Sequence, residues 1–172
     1  AQMPSADGAT IIGTRIKTLP DMAAFVNATA ARCVEMNDSY HWPGSAGGHP
    51  SDVVMPVLAA AEYAGANGRE FITGIVLAYE VFCRLADEVP LKGWDQGMSA
   101  AIGTTCGIGM ILGLDRKAMG NAISIAITTG IPLGVTRVGE LSMWKGCATA
   151  AAVRTGVFAA ELASEGMTGP VN

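Results

Sequence analysis

Residues 97–113 read GMSAAIGTTCGIGMILG, a stretch with no charged side chain and many small ones. Its length corresponds to a helix of about five turns. Glycine and alanine on a helix surface leave room for a neighbouring helix to come close. The stretch therefore predicts a helix against which other helices pack tightly, in an all-α fold.

The glycines of this stretch also raise the possibility of a dinucleotide-binding loop. That interpretation requires the spacing G-x-G-x-x-G directly after a β-strand. Gly107, Gly109 and Gly113 do not have this spacing, and no strand is predicted before them. Close helix packing is the better explanation.

The whole chain has 172 residues, of which 50% are hydrophobic and only 15% are charged. This is enough for one domain with a substantial core, but it leaves few charges to cover the outside. We therefore expect the chain to pack against a second copy, as a homodimer, or against another domain. A net charge of −4 without a cluster of Lys or Arg argues against a nucleic-acid partner.

Cysteine use and hydropathy predict a cytoplasmic protein without membrane spans. Cys33, Cys83, Cys106 and Cys147 are widely separated and lack zinc or redox spacing, so buried, reduced thiols are expected. No basic region followed by an apolar run opens the chain, so no signal peptide is expected. The apolar stretches 100–114 and 119–135 are short for a span and contain polar residues.

The other long apolar segments have the helical period or end at helix-stop signals. They predict an all-α bundle of five or six main helices, at residues 22–36, 51–64, 69–87, 97–113, 115–129 and 142–165. These form one helical domain at 19–172, preceded by an extended surface arm at 1–18. In the first helix the expected inward stripe is Met22, Phe25, Val26, Thr29, Cys33 and Met36. Asp115 is expected to cap the fifth helix.

Residues 37–52, NDSYHWPGSAGGHPSD, form a polar loop between two predicted helices and contain both histidines of the chain. Three glycines there allow positive φ angles and let a ligand approach the main chain. Ser51 or Asp52 could cap the next helix, whose free N–H groups would face an anion. The loop is either a binding site or a capped connection with a surface histidine.

The loops at 37–52, 89–97 and 131–145 are separated by even numbers of helices, which puts them at the same end of an up-and-down bundle. They would bring together two carboxylates, two imidazoles and two cations: Asp38, Asp95, His41, His49, Arg137 and Lys145. Such a set suits proton abstraction next to a carboxylate. The cations hold anionic oxygens while a histidine or an aspartate moves the proton.

Each of these residues also has a structural explanation. The explanations are helix caps for Asp38 and Asp95, a surface position for His41, a pair with Glu140 for Arg137, and packing on Trp144 for Lys145. The residues alone leave both interpretations open.

Several separated motifs occur together: NDSY at 37–40, HPSD at 49–52, GWD at 93–95, GLD at 113–115, SMWKG at 142–146 and GMTGP at 166–170. In order and spacing they resemble the helical domain of the MmgE/PrpD family over about residues 8–170. The resemblance implies a lyase or isomerase for a small di- or tricarboxylate that uses no metal or other cofactor. The simplest form is a carbon–oxygen lyase, a dehydratase of the 2-methylcitrate type.

The site positions of the family fall on Asp38, His49 and Lys145. Together with Asp95, where many members have a histidine, they form the expected catalytic set. The expected substrate-binding residues are His41, Ser51, Arg137 and Lys145.

Full-length members of the family are more than twice as long and carry a second domain that closes the cleft. The resemblance therefore implies a fragment, or one subunit whose partner is a complementary chain with that domain. The alternative from a different functional class is a non-catalytic helical subunit or dimerisation module.

Overall fold

The computed structural model describes residues 4–170. In this part of the chain, six α-helices carry most of the regular structure: α1 (Pro20–Arg32), α2 (Val54–Ala64), α3 (Gly68–Glu88), α4 (Gly97–Ile111), α5 (Arg116–Gly130) and α6 (Lys145–Ser164). Two strands, β1 (Pro4–Thr10) and β2 (Lys17–Thr18), and two 3-10 helices (Pro50–Val53 and Gly134–Arg137) complete it. The predicted all-α class is therefore confirmed.

The central helix is α4, which packs against α3, α5 and α6 and is buried along almost its whole length. A Cβ on Gly103 would lie 2.5 Å from the carbonyl oxygen of Ala78 in α3. On the other side, a Cβ on Gly156 of α6 would lie 2.7 Å from the carbonyl oxygen of Ala101. The glycines are helix contacts, as predicted. No helix within residues 4–170 is long and apolar enough to cross a membrane.

The buried face of α1 differs from the prediction. It includes Ala23, Ala24, Asn27 and Ala28 rather than the large apolar residues. The predicted inward side chains are partly buried or exposed, and Met36, beyond the helix, is 86% exposed. An alanine face lets α1 lie close to α2 and α6, where large side chains would hold the helices apart.

At the end of the bundle that carries the site, α2 begins at Val54 rather than at residue 51, and α1 and α6 are also shorter than predicted. α1 ends at Arg32, and Glu35 then has a positive φ of 50°, which turns the chain away from the helix axis. α6 begins at Lys145, after a turn in which its N–H donates to the Ser142 carbonyl oxygen at 3.1 Å. Both differences lengthen the loops at this end of the bundle.

Polar side chains start two other helices. Asn67 and Glu70 form a reciprocal capping box at the start of α3. The predicted cap of α5 is confirmed, because Asp115 Oδ1 accepts a hydrogen bond from the Ala118 N–H at 2.8 Å.

The N-terminal segment is more than the extended surface arm that the sequence predicted. β1 and β2 pair as an antiparallel sheet, and Ala9 is fully buried in the helical core. Glu62 of α2 accepts hydrogen bonds from the N–H and the hydroxyl of Thr10, at 2.7 and 2.6 Å, and pairs with Lys17 at 3.2 Å. Residues 1–3 of the predicted arm and 171–172 of the predicted domain lie outside the described residues.

The prediction of four buried thiols is wrong for three of them. Only Cys106 is buried, whereas Cys33 is exposed and Cys83 and Cys147 are half-buried, and all four are free. Burial raises the pKa of the Cys106 thiol to about 11, so this thiol stays protonated.

Candidate active site

The loops that follow α1, α3 and α5 meet at one end of the bundle. The second and third loops pair through an antiparallel bridge between Trp94 and Leu133. The first loop lies against the second, because His49 and Asp95 line the same cleft. This cleft is the candidate site.

The cleft has a volume of about 310 Å³. Its lining consists of Ala46, His49, Leu91, Trp94, Asp95, Gln96, Gly134 and Arg137. An imidazole, a carboxylate and a guanidinium are thus combined in a space that suits a small polar ligand.

The first loop is folded tightly at Gly48. The main chains of Tyr40 and Gly48 exchange two hydrogen bonds, of 2.9 and 3.0 Å. Gly48 has a φ of +140°, and a Cβ there would lie 2.6 Å from Gln96 Oε1 and 2.7 Å from the ring of Phe82. Only glycine fits at this position, which delivers the next residue, His49, to the cleft.

Two aromatic side chains tie the same loop to the end of α3. The Tyr40 hydroxyl lies 2.9 Å from each carboxylate oxygen of Asp87, and Trp42 Nε1–H donates to Oδ1 at 2.9 Å. The hydrogen bond to Asp87 raises the pKa of Tyr40, so its hydroxyl remains a donor. The loop is therefore fixed on both sides of His41.

The main chain orients the half-buried ring of His49. Its Nδ1 lies 2.6 Å from the carbonyl oxygen of Asp38. A carbonyl oxygen can only accept a hydrogen bond, so Nδ1 carries the proton. In the neutral ring Nε2 is then unprotonated, which is the state that a general base requires.

The carboxylate of Asp38 caps the 3-10 helix Pro50–Val53. It accepts hydrogen bonds from the Ser51 N–H at 3.0 Å and from the Tyr79 hydroxyl at 3.2 Å. Burial, and then the nearby charge of Asp38, raise the pKa of Tyr79 to about 12, so this hydroxyl stays protonated. The expectation that Ser51 or Asp52 supplies the cap is wrong, because neither side chain caps this helix.

Asp95 lies in the floor of the cleft, where its side chain is completely buried. Arg137 donates to both carboxylate oxygens through Nε and Nη2, the latter at 3.2 Å. The Gly97 N–H at the start of α4 donates at 2.8 Å, and the Thr136 hydroxyl donates at 3.3 Å. Asp95 thus caps α4 and holds Arg137, where the sequence had suggested Glu140 as the partner.

The other predicted site residues do not line this cleft. Lys145 stands one turn before Thr149 of α6, whose hydroxyl accepts a hydrogen bond from Arg137 Nη2 at 3.2 Å. Residues four apart share a helix face, so Lys145 lies about 6 Å along the helix from that contact. His41 is exposed on the loop, and Ser51 is half-buried in the 3-10 helix.

Three residues at this end of the bundle were not predicted: Arg32, Tyr79 and Asp87. Arg32 forms a buried ion pair with Asp52, with 3.7 Å between Nη1 and Oδ1. Its position four residues after Ala28 already placed it on the alanine face of α1. Nothing in the sequence separates Tyr79 or Asp87 from ordinary surface residues of a long helix.

The geometry defines a helical domain with a cleft whose groups can bind a small anion and move a proton. Within residues 4–170, no three His, Cys, Asp or Glu side chains come together as a metal site. The chain belongs to the MmgE/PrpD family, whose N-terminal domain matches residues 1–172. The resemblance seen in the separated motifs is therefore confirmed.

Curated relatives match most of the chain. It is 29% identical to 2-methylcitrate dehydratase of Escherichia coli O157:H7 over 170 residues, 89% of this chain and 35% of that protein. It is 30% identical to 2-methylcitrate dehydratase of Cupriavidus necator, with the same coverage. It is 27% identical to human cis-aconitate decarboxylase, over 90% of this chain and 33% of that protein. The chain thus spans about a third of the length of these relatives.

Proposed function

We propose that this chain supplies the helical domain of a MmgE/PrpD lyase or isomerase that acts on a small di- or tricarboxylate. The first activity to test is a carbon–oxygen lyase reaction, dehydration of 2-methylcitrate. The observation that carries the proposal is the cleft itself. His49, with Nε2 unprotonated, and the partly exposed guanidinium of Arg137 line it together.

In the proposed reaction, His49 Nε2 removes a proton from a carbon next to a substrate carboxylate. Arg137, which lines the cleft, holds one carboxylate and stabilises the negative charge that develops on its oxygens. Lys145 does not line the cleft in this structure, and we propose that it holds a second carboxylate of the bound substrate. In a dehydration, the electrons of the broken C–H bond form the C=C bond while the C–O bond breaks. The hydroxyl group leaves as water with a proton from His49, which took one up in the first step, or from solvent. An isomerase would begin with the same step and return the proton to the opposite face.

The geometry supports a holding role for both aspartates of the proposed catalytic set. The Asp38 carbonyl orients His49, and the Asp95 carboxylate orients Arg137. Because Asp95 is paired, its negative charge is compensated and does not repel an anionic substrate. We therefore propose Asp95 as the residue that positions Arg137 rather than as the proton donor. His41 and Ser51 remain proposed substrate contacts that the cleft of this structure does not include.

Large apolar side chains of the second and third loops are open to solvent and form an exposed rim at this end of the bundle: Trp94, Leu133, Val135, Val138, Leu141, Met143 and Trp144 are 46–96% exposed. A surface of this kind marks an interaction site. We propose that a second copy, or a complementary chain that carries the remaining two thirds of the relatives' length, covers this rim. All four cysteines are free, which is typical of proteins in a reducing compartment. We therefore propose that the protein is located in the cytoplasm.

One observation favours the non-catalytic alternative. The contacts of the Asp95 carboxylate with Gly97, Thr136 and Arg137 are structural, so the position that is a histidine in many members does not offer a proton-transfer group here. A helical subunit without activity would keep the bundle and the Asp95–Arg137 pair but would not turn over substrate.

The deciding experiment separates binding from turnover in the His49→Gln and Lys145→Ala variants. We expect Lys145→Ala to weaken binding of citrate and cis-aconitate at least tenfold, because it removes a cation that holds a carboxylate in every state. His49→Gln should leave binding intact and abolish turnover of 2-methylcitrate, because Nε2 acts only when a proton moves. Calorimetry measures the first effect, and product analysis with the complete enzyme measures the second.

Lys117→Ala is the matched control, because Lys117 lies in the first turn of α5, at the opposite end of the bundle. It should leave polycarboxylate binding unchanged. If the wild-type protein binds no polycarboxylate and Lys145→Ala changes nothing, the non-catalytic subunit is the correct interpretation.

A further inference from the structure

A buried ion pair lies directly behind His49 and has no part in the chemistry described above. Arg32 is the last residue of α1, and Asp52 belongs to the 3-10 helix that follows His49. Only 7% of Arg32 and 5% of Asp52 is exposed. The shortest charged contact, between Nη1 and Oδ1, is 3.7 Å.

This pair is poorly satisfied. Arg32 Nη1 and Asp52 Oδ2 are both buried without a hydrogen-bond partner from the described protein. A third such atom is Oδ1 of Asn37, in the loop between them. Burying two charges with so few hydrogen bonds costs free energy, and an apolar pair of similar size would stabilise the fold at least as well. Stability alone therefore does not explain the pair.

The location of Asp52 suggests a different role. Its N–H donates to the carbonyl oxygen of His49 at 3.0 Å, so both residues belong to the same turn. One residue earlier, the Ser51 N–H donates to Asp38, whose carbonyl accepts the Nδ1 proton of His49. The side chain of Asp52 faces Arg32 and thereby attaches this turn to the end of α1. Movement of the turn would carry His49 away from the Asp38 carbonyl.

We propose that Arg32 and Asp52 are positioning residues that lock His49 in its Nδ1–H tautomer, with Nε2 directed to the cleft. The inference rests on the proposed role of His49 as the proton acceptor. Arg32 and Asp52 touch no reacting atom themselves. They act by holding the turn on which His49 stands.

The titration of Asp52 supports this role. Burial raises the pKa of Asp52 to about 6, opposed by the charges of Arg32, His49 and Arg137 and aided by that of Asp38. These groups face Asp52 from α1, from the first loop and from the second 3-10 helix. The Asp52 carboxylate is therefore charged above about pH 6 and neutral below it. The attraction to Arg32 is complete only in the higher range.

The test uses nitrogen NMR of the imidazoles, because the chain has only two histidines. His49→Gln assigns the signals, and His41 serves as an internal reference on the exposed part of the loop. At pH 7.5 we expect His49 of the wild-type protein to be almost entirely Nδ1–H. Asp52→Asn and Arg32→Met should lower the ratio of Nδ1–H to Nε2–H at least fivefold, and Arg32→Lys should restore most of it.

Arg84→Met is the control for loss of an arginine, because Arg84 forms an exposed pair with Glu80 on α3. It should leave the His49 tautomer unchanged. If Asp52→Asn and Arg32→Met fold and His49 keeps the wild-type tautomer, the proposal is overturned. If Arg32→Met does not fold, the nearly isosteric Asp52→Asn decides alone, by the same ratio.

The readout involves no ligand, so it separates this inference from the proposed function. If the protein binds no polycarboxylate but the His49 tautomer still depends on Arg32 and Asp52, the proposed function is refuted and the positioning role stands. If polycarboxylate binding is normal but substitutions of both residues leave the His49 tautomer unchanged, only the positioning role is refuted.

Discussion

The interior around α4 and the loop end of the bundle are held together in opposite ways. Around α4, glycines and alanines bring helix backbones within van der Waals contact, and no charged side chain takes part. At the loop end, two buried carboxylates, Asp52 and Asp95, are compensated by the guanidinium groups of Arg32 and Arg137. An added methyl group should therefore destabilise the first region, and loss of a charge should destabilise the second.

This contrast teaches where the chain can carry chemistry. A small-residue interior gains stability from close packing and dispersion and offers no group that can react. Buried charges at the loop end cost free energy, and they keep polar side chains in fixed orientations around the cleft. The rigid interior supports the loops that carry these charges.

The largest effect should come from adding one methyl group to the interior. Gly103→Ala would place Cβ 2.5 Å from the backbone oxygen of Ala78, so α3 and α4 would have to separate. We expect the free energy of unfolding to fall by about 3 kcal/mol, as measured by urea denaturation. Gly120→Ala is the control, because a Cβ there meets nothing within 4 Å and should stabilise α5 by roughly 0.5–1 kcal/mol. Equal effects of the two variants would refute the tight packing of α4.

The sequence predicted the interior better than the site. The helical period and the small residues of 97–113 were enough for the class and for the contacts of α4, because these depend on local composition. The alanine face of α1 escaped prediction, since large apolar residues such as Phe25 normally mark the inward side. How closely two helices approach depends on both partners, which a single segment does not show.

At the site, the even number of helices between successive loops predicted that the three loops lie together, and the motifs identified His49 as a candidate residue. The side-chain pairing was not predictable in the same way. Arg137 pairs with Asp95, from which 41 residues separate it along the chain, rather than with the nearby Glu140. The helix that carries Arg32 was predicted, although its end and its buried face were not. The partner of Arg32, Asp52, could be identified only from the folded structure of the first loop.

A smaller effect should come from neutralising a charge at the loop end. Asp95→Asn removes the charge that holds Arg137 and weakens the cap on α4, so we expect a loss of about 2 kcal/mol. The amide of Gly134, which donates to the Gly93 carbonyl at 2.7 Å, should exchange with solvent faster, because the second and third loops are released from each other.

Glu80→Gln is the matched control for this change of acid to amide. Glu80 pairs with Arg84 on the exposed face of α3, where such a pair contributes at most about 0.5 kcal/mol. If Asp95→Asn costs no more than Glu80→Gln, the buried pair does not hold the loops.

The smallest effect should come from Glu161, a carboxylate of α6 in the bundle rather than at the loop end. Burial, aided by the charge of Asp21, raises the pKa of Glu161 to about 7. A raised carboxyl pKa means that stability present below pH 4.5 is lost as the pH rises through 7. Glu161→Gln mimics the neutral form, so it should stabilise the protein at pH 8, by less than about 1 kcal/mol because solvent screens the charge, and not at pH 4.5. Thermal melts at both pH values measure this, with the exposed Glu140→Gln controlling for net charge. A gain that is equal at both pH values would show that side-chain packing, and not charge burial, distinguishes the two regions at this position.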